Sequence, residues 1–418
     1  MHEQAQTAAR HWAKISDKRE QPSTPSGDGK AATLRGDIPL KRTKGIYEKI
    51  ISDENLEKAI NEVNRTHHWK KGHRPNGCTA WVELTKAERI KELRRIIEDG
   101  FEQKKPKVTE RWDPSAQKMR VVCEPAQWPD QYVHHALIQA LMPTFMKGMD
   151  FYCCGSIRGR GGIHEKKAIE RWMRHDIKGT KYALCADIRH FYDSLKPKVV
   201  MERMKHLTKD RKALDLIWRV IKDGIMIGSY TSQWFANVTL QPLDMMIRQS
   251  GLCRHYARYM DNLTIFGSNK RKLRALRQRI ERWLAEHELT LKGDWQIFPA
   301  DKRLPDAVGY RYGRTYTLPR KHNLIRTKRA IKRYTKKTGR GERVPPHMAA
   351  SIISRTGQLA HCNNVNIYKM LYGGRKIMRE LKRILREKSR KETLTWSIYL
   401  EQRRQERLLK QKEALTAT

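Results

Sequence analysis

Arg258-Tyr259-Met260-Asp261-Asn262-Leu263 is the stretch of the chain that decides the fold. Residues 255–260 and 263–266 favour β-strands, and the polar pair Asp261-Asn262 interrupts them. Asp and Asn tolerate left-handed backbone conformations, so the pattern predicts a β-hairpin with this pair at its tip. Taken alone, the pair is also compatible with an ordinary turn.

A second aspartate, Asp187, directly follows the apolar run 182–186. Nucleotidyl transfer uses two divalent cations about 3.5–4 Å apart, and carboxylates at strand ends are held firmly enough to position them. Mg²⁺ keeps much of its water, so a few oxygen ligands suffice. Asp187 and Asp261 are therefore the candidate catalytic and metal-binding pair, although Asp187 alone could simply end a strand. Asp193 and Asp244 are interpreted as helix-start or surface residues outside the metal site.

Helical and strand-like patterns alternate around these aspartates. Apolar residues recur at helical spacing in residues 132–146, 198–222 and 232–249, while residues 108–122 are strand-like and basic. After Tyr316 the chain is basic and helical. This order predicts an α+β fold with helices packed on one sheet.

The charge of the chain points to a polyanionic partner. Its 418 residues include 87 Lys and Arg against 45 Asp and Glu, a formal net charge of +42. Nucleic acid is the expected partner, and the absence of a long apolar run argues against a membrane. Seven dispersed cysteines indicate reduced thiols, and the first residues lack a signal-peptide core. We therefore expect a cytoplasmic protein.

Several motifs, taken in order, resemble those of reverse transcriptases. Tyr259-Met260-Asp261-Asn262 resembles the tyrosine-x-aspartate-aspartate box, and Asp187 with Phe191-Tyr192 resembles the other catalytic strand. Ile227 to Gln233 resembles the box that packs beneath the templating base. The resemblance extends from about Gly45 to Tyr316.

This resemblance implies an RNA-directed DNA polymerase with a right-hand fold. The expected parts are a mobile tail (1–44), fingers (45–180), a palm with an antiparallel sheet (181–317) and a basic helical thumb (318–418). The expected reactants are dNTPs and an RNA template, the product is DNA, and the cofactor is Mg²⁺ or Mn²⁺. Asn262 is the expected third metal ligand.

The resemblance also assigns binding roles, with Tyr192 as a steric gate against a ribose 2′-hydroxyl. The residues it assigns to dNTP binding are Lys118, Arg120, Phe191, Tyr192, Gly228, Ser232 and Gln233. Those assigned to nucleic-acid binding are Arg158, Arg160, Gly309 and Tyr310. The basic C-terminal helices add Lys382, Arg383, Arg386 and Arg390.

Two details narrow the resemblance and leave the biological setting open. Ile227-Gly228 and Ser232-Gln233 are similar to the form seen in diversity-generating retroelements and in related bacterial prophage and antiphage-defence enzymes. Asn262 stands where the family usually has a second aspartate, and the lost charge should weaken metal binding.

A structured noncoding RNA is expected as partner, together with an accessory protein or further copies of the chain. The alternative is a non-catalytic or weakly active RNA-binding scaffold. A group II intron maturase fits less well because its serine-proline box is absent.

Overall fold

The computed structural model describes residues 42–69, 77–113, 118–363 and 375–416. Most of the predicted tail, residues 1–41, lies outside this part. The helices are α1 (Ile46–Ile51), α2 (Asp53–Trp69), α3 (Gly77–Leu84), α4 (Lys86–Glu98), α5 (Tyr132–Lys147), α6 (Gly162–His175), α7 (Phe191–Ser194), α8 (Pro197–Leu207), α9 (Arg211–Ile221), α10 (Tyr230–Thr239), α11 (Gln241–Gln249), α12 (Lys270–Glu286), α13 (Lys321–Gly339), α14 (Pro346–Leu359) and α15 (Arg375–Thr416).

The strands form three antiparallel sheets. They are β1 (Lys107–Asp113), β2 (Lys118–Glu124), β3 (Tyr182–Asp187), β4 (His255–Tyr259), β5 (Asn262–Gly267), β6 (Gln296–Pro299), β7 (Asp306–Ala307), β8 (Tyr310–Tyr312) and β9 (Thr317–Pro319). The central sheet has the order β4-β5-β3-β6, while β1-β2 is a hairpin and β7-β8-β9 is a small separate sheet. This mixture of helices and antiparallel sheets belongs to the α+β class that the sequence predicts.

The central sheet is covered on both faces. Alternate residues of each strand point to opposite faces, so one strand contributes to two cores. Leu184 and Ala186 of β3 lie in the largest core, which also includes residues of α1, α2, α5 and α8–α12. Ala183 faces the other side and packs in a second core with Trp172 of α6 and Tyr312 of β8. A third core joins α13, α14 and α15. The largest core thus spans both segments predicted as fingers and palm.

Two of the predicted long helices are each divided in two. Asp210 separates α8 from α9, and its carboxylate accepts a hydrogen bond from the Ala213 amide at 3.1 Å. The same carboxylate accepts hydrogen bonds from the amides of Ile46 and Tyr47, both at 2.8 Å. Asp210 therefore caps α9 and joins it to α1. Among the described helices, none is long and apolar enough to cross a membrane.

Candidate active site

The hairpin between β4 and β5 carries the central motif, but its tip differs from the prediction. Because β4 ends at Tyr259 and β5 begins at Asn262, the tip is Met260-Asp261. The left-handed residue is Met260, with φ of 56°, and neither residue of the predicted pair adopts that conformation. A Cβ on Gly155 would lie 2.5–2.7 Å from Met260, so the glycine makes room for this turn.

Asp187 and Asp261 come together at one edge of the central sheet. In the pairing of β3 with β5, Asp187 lies opposite Asn262, the residue after Asp261. The amide of Ile188 donates a hydrogen bond to the carbonyl oxygen of Asp261 at 3.1 Å. Burial raises the pKa of the Asp261 carboxyl above its usual value, although the Asn262 amide and the charge of Arg120 oppose this shift.

Asn262 is exposed and oriented toward the neighbouring carboxylate. Its side-chain amide donates a hydrogen bond to Oδ1 of Asp261 at 3.1 Å. An aspartate at this position could not donate that bond and would add a third negative charge. With Asn262 the site therefore has two carboxylates, where an aspartate at this position would give it three.

Tyr192 lies beside Asp261, and the β1-β2 hairpin brings Arg120 to the same place. Burial and, to a lesser degree, the charge of Asp261 raise the pKa of the Tyr192 phenol. Arg120 forms an ion pair with Asp113 at 2.6 Å across the hairpin. Phe191, which the resemblance assigns to dNTP binding, is buried, and its ring centre lies 5.7 Å from that of Tyr192. The side chain of Lys118 lies outside the described part.

Gly228 joins the β1-β2 hairpin to the segment that precedes α10. The amide of Cys123 donates to the Ile227 carbonyl oxygen at 2.7 Å, and Gly228 has φ of 112°. A Cβ on Gly228 would lie 2.7 Å from the Cys123 carbonyl oxygen, so only glycine fits here. In the first turn of α10, Ser232 is buried and Gln233 is exposed.

The residues predicted to bind nucleic acid have different surroundings. Arg158 is exposed, whereas Arg160 donates to the Asp150 carbonyl oxygen at 2.9 Å and lies over the Phe151 ring. Arg160 is therefore already engaged within its own loop. In contrast, Lys382, Arg383, Arg386 and Arg390 are all exposed on α15.

Tyr310, which the resemblance assigns to nucleic-acid binding, is buried. Only 3% of the residue is accessible, and its hydroxyl donates to the Gln358 carbonyl oxygen at 3.1 Å. The neighbouring Gly309 has φ of 89°, and a Cβ there would collide with Gln358. These two residues pack β8 against α14, because the chain crosses closely enough to exclude a side chain.

Lys292 is a residue of the site that the sequence did not single out. Its amide donates to the Asp187 carbonyl oxygen at 2.8 Å, and its ammonium group forms an ion pair with Asp294. The hydrogen bond with Asp294 raises the pKa of Lys292, and the charges of Asp187 and Asp261 raise it further. The ammonium group is therefore near enough to the two candidate catalytic carboxylates for their charges to act on it. In the sequence, Lys292 is one of many basic residues, so no local signal singles it out.

Asp244 lies in the first turn of α11, as predicted for a helix-start residue, but it is buried rather than at the surface. It is 2% accessible and forms an ion pair with the inaccessible Arg258, with Nη2 and Oδ2 2.7 Å apart. The apolar spacing of α11 does not reveal this, because the partner lies on β4. Asp193, the other carboxylate left outside the site, is exposed in α7.

The central part of the chain matches a known protein family. Residues 104–294 match the family described as reverse transcriptase (RNA-dependent DNA polymerase). The match includes Arg120, Asp187, Asp261 and Lys292. No curated protein sequence matches the chain.

Among solved structures, the chain is similar to telomerases of two yeasts. Apo telomerase from Candida tropicalis has 11% identity and a TM-score of 0.42, over 76% of this chain and 63% of that one. Its form truncated from the C-terminal domain has 13% identity and a TM-score of 0.38, over 57% and 60%. Telomerase from Candida albicans, in complex with a TWJ fragment of telomeric RNA, has 13% identity and a TM-score of 0.40, over 77% and 70%. The chain thus spans about 60% of the length of the first two structures.

Proposed function

We propose, from the premise that residues 104–294 are a reverse transcriptase domain, that this nucleotidyltransferase copies RNA into DNA at Asp187 and Asp261. The observation that carries the proposal is the convergence of these aspartates at one edge of the sheet. Arg120, Tyr192 and Lys292 lie around them, where a dNTP would need charge and a shaped pocket.

The donor set fits Mg²⁺ or Mn²⁺. Within the described residues, no group of three or more His, Cys, Asp or Glu side chains could hold a metal ion. Two carboxylates with a neighbouring amide still suit Mg²⁺, which takes remaining ligands from water and substrate phosphates. Asp187 and Asp261 would hold the ions, with Asn262 beside them. Cations bound there would supply the positive charge that activates a primer 3′-hydroxyl and stabilises a leaving pyrophosphate.

The other residues of the site orient the substrates. Arg120 offers a guanidinium group to the triphosphate, and Lys292 offers an ammonium group held near the carboxylates by Asp294. Gly228 keeps β2, which carries Arg120, against the segment before α10. Gln233 is exposed in the first turn of α10, where it can contact the templating base.

The C-terminal helices supply a surface for nucleic-acid backbones. The sequence of α13 contains many Lys and Arg residues and no acidic residue. Burial lowers the pKa of Arg355 on α14, and the charges of Arg326 and Arg333 on α13 lower it further. Such crowding of cations favours a polyanion as partner. We therefore assign residues 318–418 to a thumb, after fingers (45–180) and a palm (181–317).

A stably bound structured noncoding RNA is the partner that best accounts for a net charge of +42. A short primer–template duplex offers the thumb only a limited number of phosphates. The proposed setting is the bacterial cytoplasm, in a diversity-generating retroelement or an antiphage-defence or prophage system, with an accessory protein or further copies of the chain. Of these settings, Asn262 favours the antiphage-defence or prophage system.

Primer extension tests the proposal directly. We expect the purified protein to extend a DNA primer on an RNA template with dNTPs and Mg²⁺ or Mn²⁺. Sequencing the nucleic acid that copurifies with the protein would identify the natural template. If neither metal supports extension on that RNA, the alternative of an RNA-binding scaffold replaces the polymerase.

Asn262→Asp tests whether the site is weakened but intact. The change removes the hydrogen bond to Asp261 and adds a carboxylate opposite Asp187. We expect activity to be kept or raised, with half-maximal activity at a severalfold lower Mg²⁺ concentration, because a third oxygen anion improves cation binding. A magnesium titration of primer extension measures this. Complete loss of synthesis would show that the Asn262 amide has an essential role of its own.

Tyr192→Ala tests the proposed sugar gate. Removing the half-buried ring opens space beside Asp261, where the 2′-hydroxyl of a ribonucleotide would otherwise clash. We expect the preference for dNTPs over rNTPs, measured as a ratio of kcat/KM values, to fall by about 10- to 100-fold. Tyr192→Phe keeps the ring and is the matched control, with its preference unchanged. Equal discrimination by the alanine variant and the wild type would place the sugar elsewhere.

A further inference from the structure

We propose that Arg258 is a positioning residue that, together with Asp244 and Asn237, holds the Met260-Asp261 turn in the conformation that binds metal. This inference rests on the proposed function. According to this inference, the buried ion pair between Arg258 and Asp244 helps to direct Asp261 toward the metal ions.

The contacts of Arg258 connect the turn to two helices. Its Nη1 donates to the Met260 carbonyl oxygen and to Oδ1 of Asn237, both at 2.9 Å. Its Nε and Nη2 donate to the two carboxylate oxygens of Asp244 at 2.7 Å. The planar guanidinium group therefore bonds α10, α11 and the turn at the same time.

The hydrogen bond from Arg258 to the Met260 carbonyl oxygen stabilises a strained part of the turn. Met260 has a left-handed backbone, a conformation that non-glycine residues adopt at a cost and only when their surroundings impose it. The carbonyl oxygen that Arg258 binds belongs to the peptide that leads directly into Asp261. Since Arg258 is inaccessible to solvent, water cannot replace its bond to this oxygen.

A second set of contacts fixes the same turn from the loop before α6. The side-chain amide of Asn237 donates to the Gly155 carbonyl oxygen at 2.8 Å. Gly155 in turn lies so close to Met260 that a Cβ would meet its Sδ, Cγ and backbone nitrogen within 2.5–2.7 Å. Asn237 thus links Arg258 to the glycine that makes room for the turn.

The ion pair can be removed without leaving a buried charge. Removing one partner of a buried pair is strongly destabilising, whereas replacing the whole pair by apolar residues of similar volume is often neutral. Tyr256 also donates its hydroxyl to Asp244, at 2.5 Å, so it must be changed as well. The test protein is therefore the triple variant Arg258→Met, Asp244→Leu, Tyr256→Phe, which keeps an apolar core but lacks the donor to Met260.

Two measurements on the triple variant test the proposal. In hydrogen–deuterium exchange, we expect faster exchange at Ile188, whose amide donates to the Asp261 carbonyl oxygen, and in residues 260–263. In primer extension, we expect kcat to fall about tenfold or more and the half-maximal Mg²⁺ concentration to rise, with unchanged primer–template affinity. Arg254→Met, which removes an exposed arginine just before β4, is the control and should match the wild type.

The outcomes separate this proposal from the proposed function. A folded triple variant with wild-type exchange and wild-type magnesium dependence overturns the positioning role. Faster exchange in a protein whose wild type makes no DNA would leave the positioning role standing and reject the polymerase proposal.

Gly155→Ala tests the same turn should the triple variant not fold. Its added methyl group meets Met260, so we expect the same rise in the half-maximal Mg²⁺ concentration and faster exchange in residues 260–263. Gly357→Ala on α14, where no atom lies within 4 Å of the added Cβ, is the matched control. If Gly155→Ala keeps the wild-type exchange and magnesium dependence, the turn does not need to be held and the proposal fails.

Discussion

DNA synthesis is expected to fall by about 10³-fold or more in Asp187→Asn and in Asp261→Asn, because each loses a charged oxygen ligand at the point of phosphoryl transfer. Asparagine has nearly the same shape as aspartate, so packing at the sheet edge is kept. Both residues are only partly buried, and we expect thermal unfolding and RNA affinity close to those of the wild type. Single-turnover primer extension, with a binding assay alongside, measures both properties.

The matched control for these variants is Asp193→Asn. This carboxylate is exposed in α7, six residues after Asp187, and we place it outside the site. The control should extend primers at the wild-type rate. Near-normal synthesis by either active-site variant would refute the assignment of that aspartate, whatever the control does.

Reversing four charges on α15 is expected to weaken RNA retention by orders of magnitude. Lys382, Arg383, Arg386 and Arg390 are exposed, whereas Leu381 of the same helix packs against α13 and α14. Their replacement by glutamate should reduce the log–log salt slope of RNA binding by about three, since each lost phosphate contact contributes roughly 0.7–0.9. We expect kcat on a short primer–template to stay unchanged, because the helix contributes nothing to the chemistry.

A second set of reversals separates local contacts from total charge. Lys270, Arg271, Lys272 and Arg274 are exposed on α12, and their replacement by glutamate changes the net charge equally. If RNA binds at α15, the α12 variant should retain RNA nearly as well as the wild type. If both sets weaken RNA binding equally, RNA affinity depends only on the overall electrostatic field of the protein. A protein that purifies free of nucleic acid at moderate salt would contradict a dedicated RNA partner.

Much of the local structure could be predicted because it depends on residues that are neighbours in the sequence. The apolar run before Asp187 and the runs on both sides of Asp261 are strands, and residues 132–146 lie within α5. The helical patterns 198–222 and 232–249 were recognised, but not their division. Periodicity identifies a buried face, whereas the break at Asp210 also depends on its bonds to the amides of α1.

The sequence by itself determined the chemistry-bearing residue types and their order, because a carboxylate at the end of an apolar run is a local pattern. Only the tertiary structure decided which of these residues meet. In that structure Lys292 lies beside Asp187, Asp244 is buried against Arg258, and Tyr310 lies in the core. These outcomes depend on contacts between residues on different elements and on the loss of solvent around them. A charged residue on a helix has the same local pattern whether it faces water or a buried partner, and only the packing of the other elements distinguishes the two.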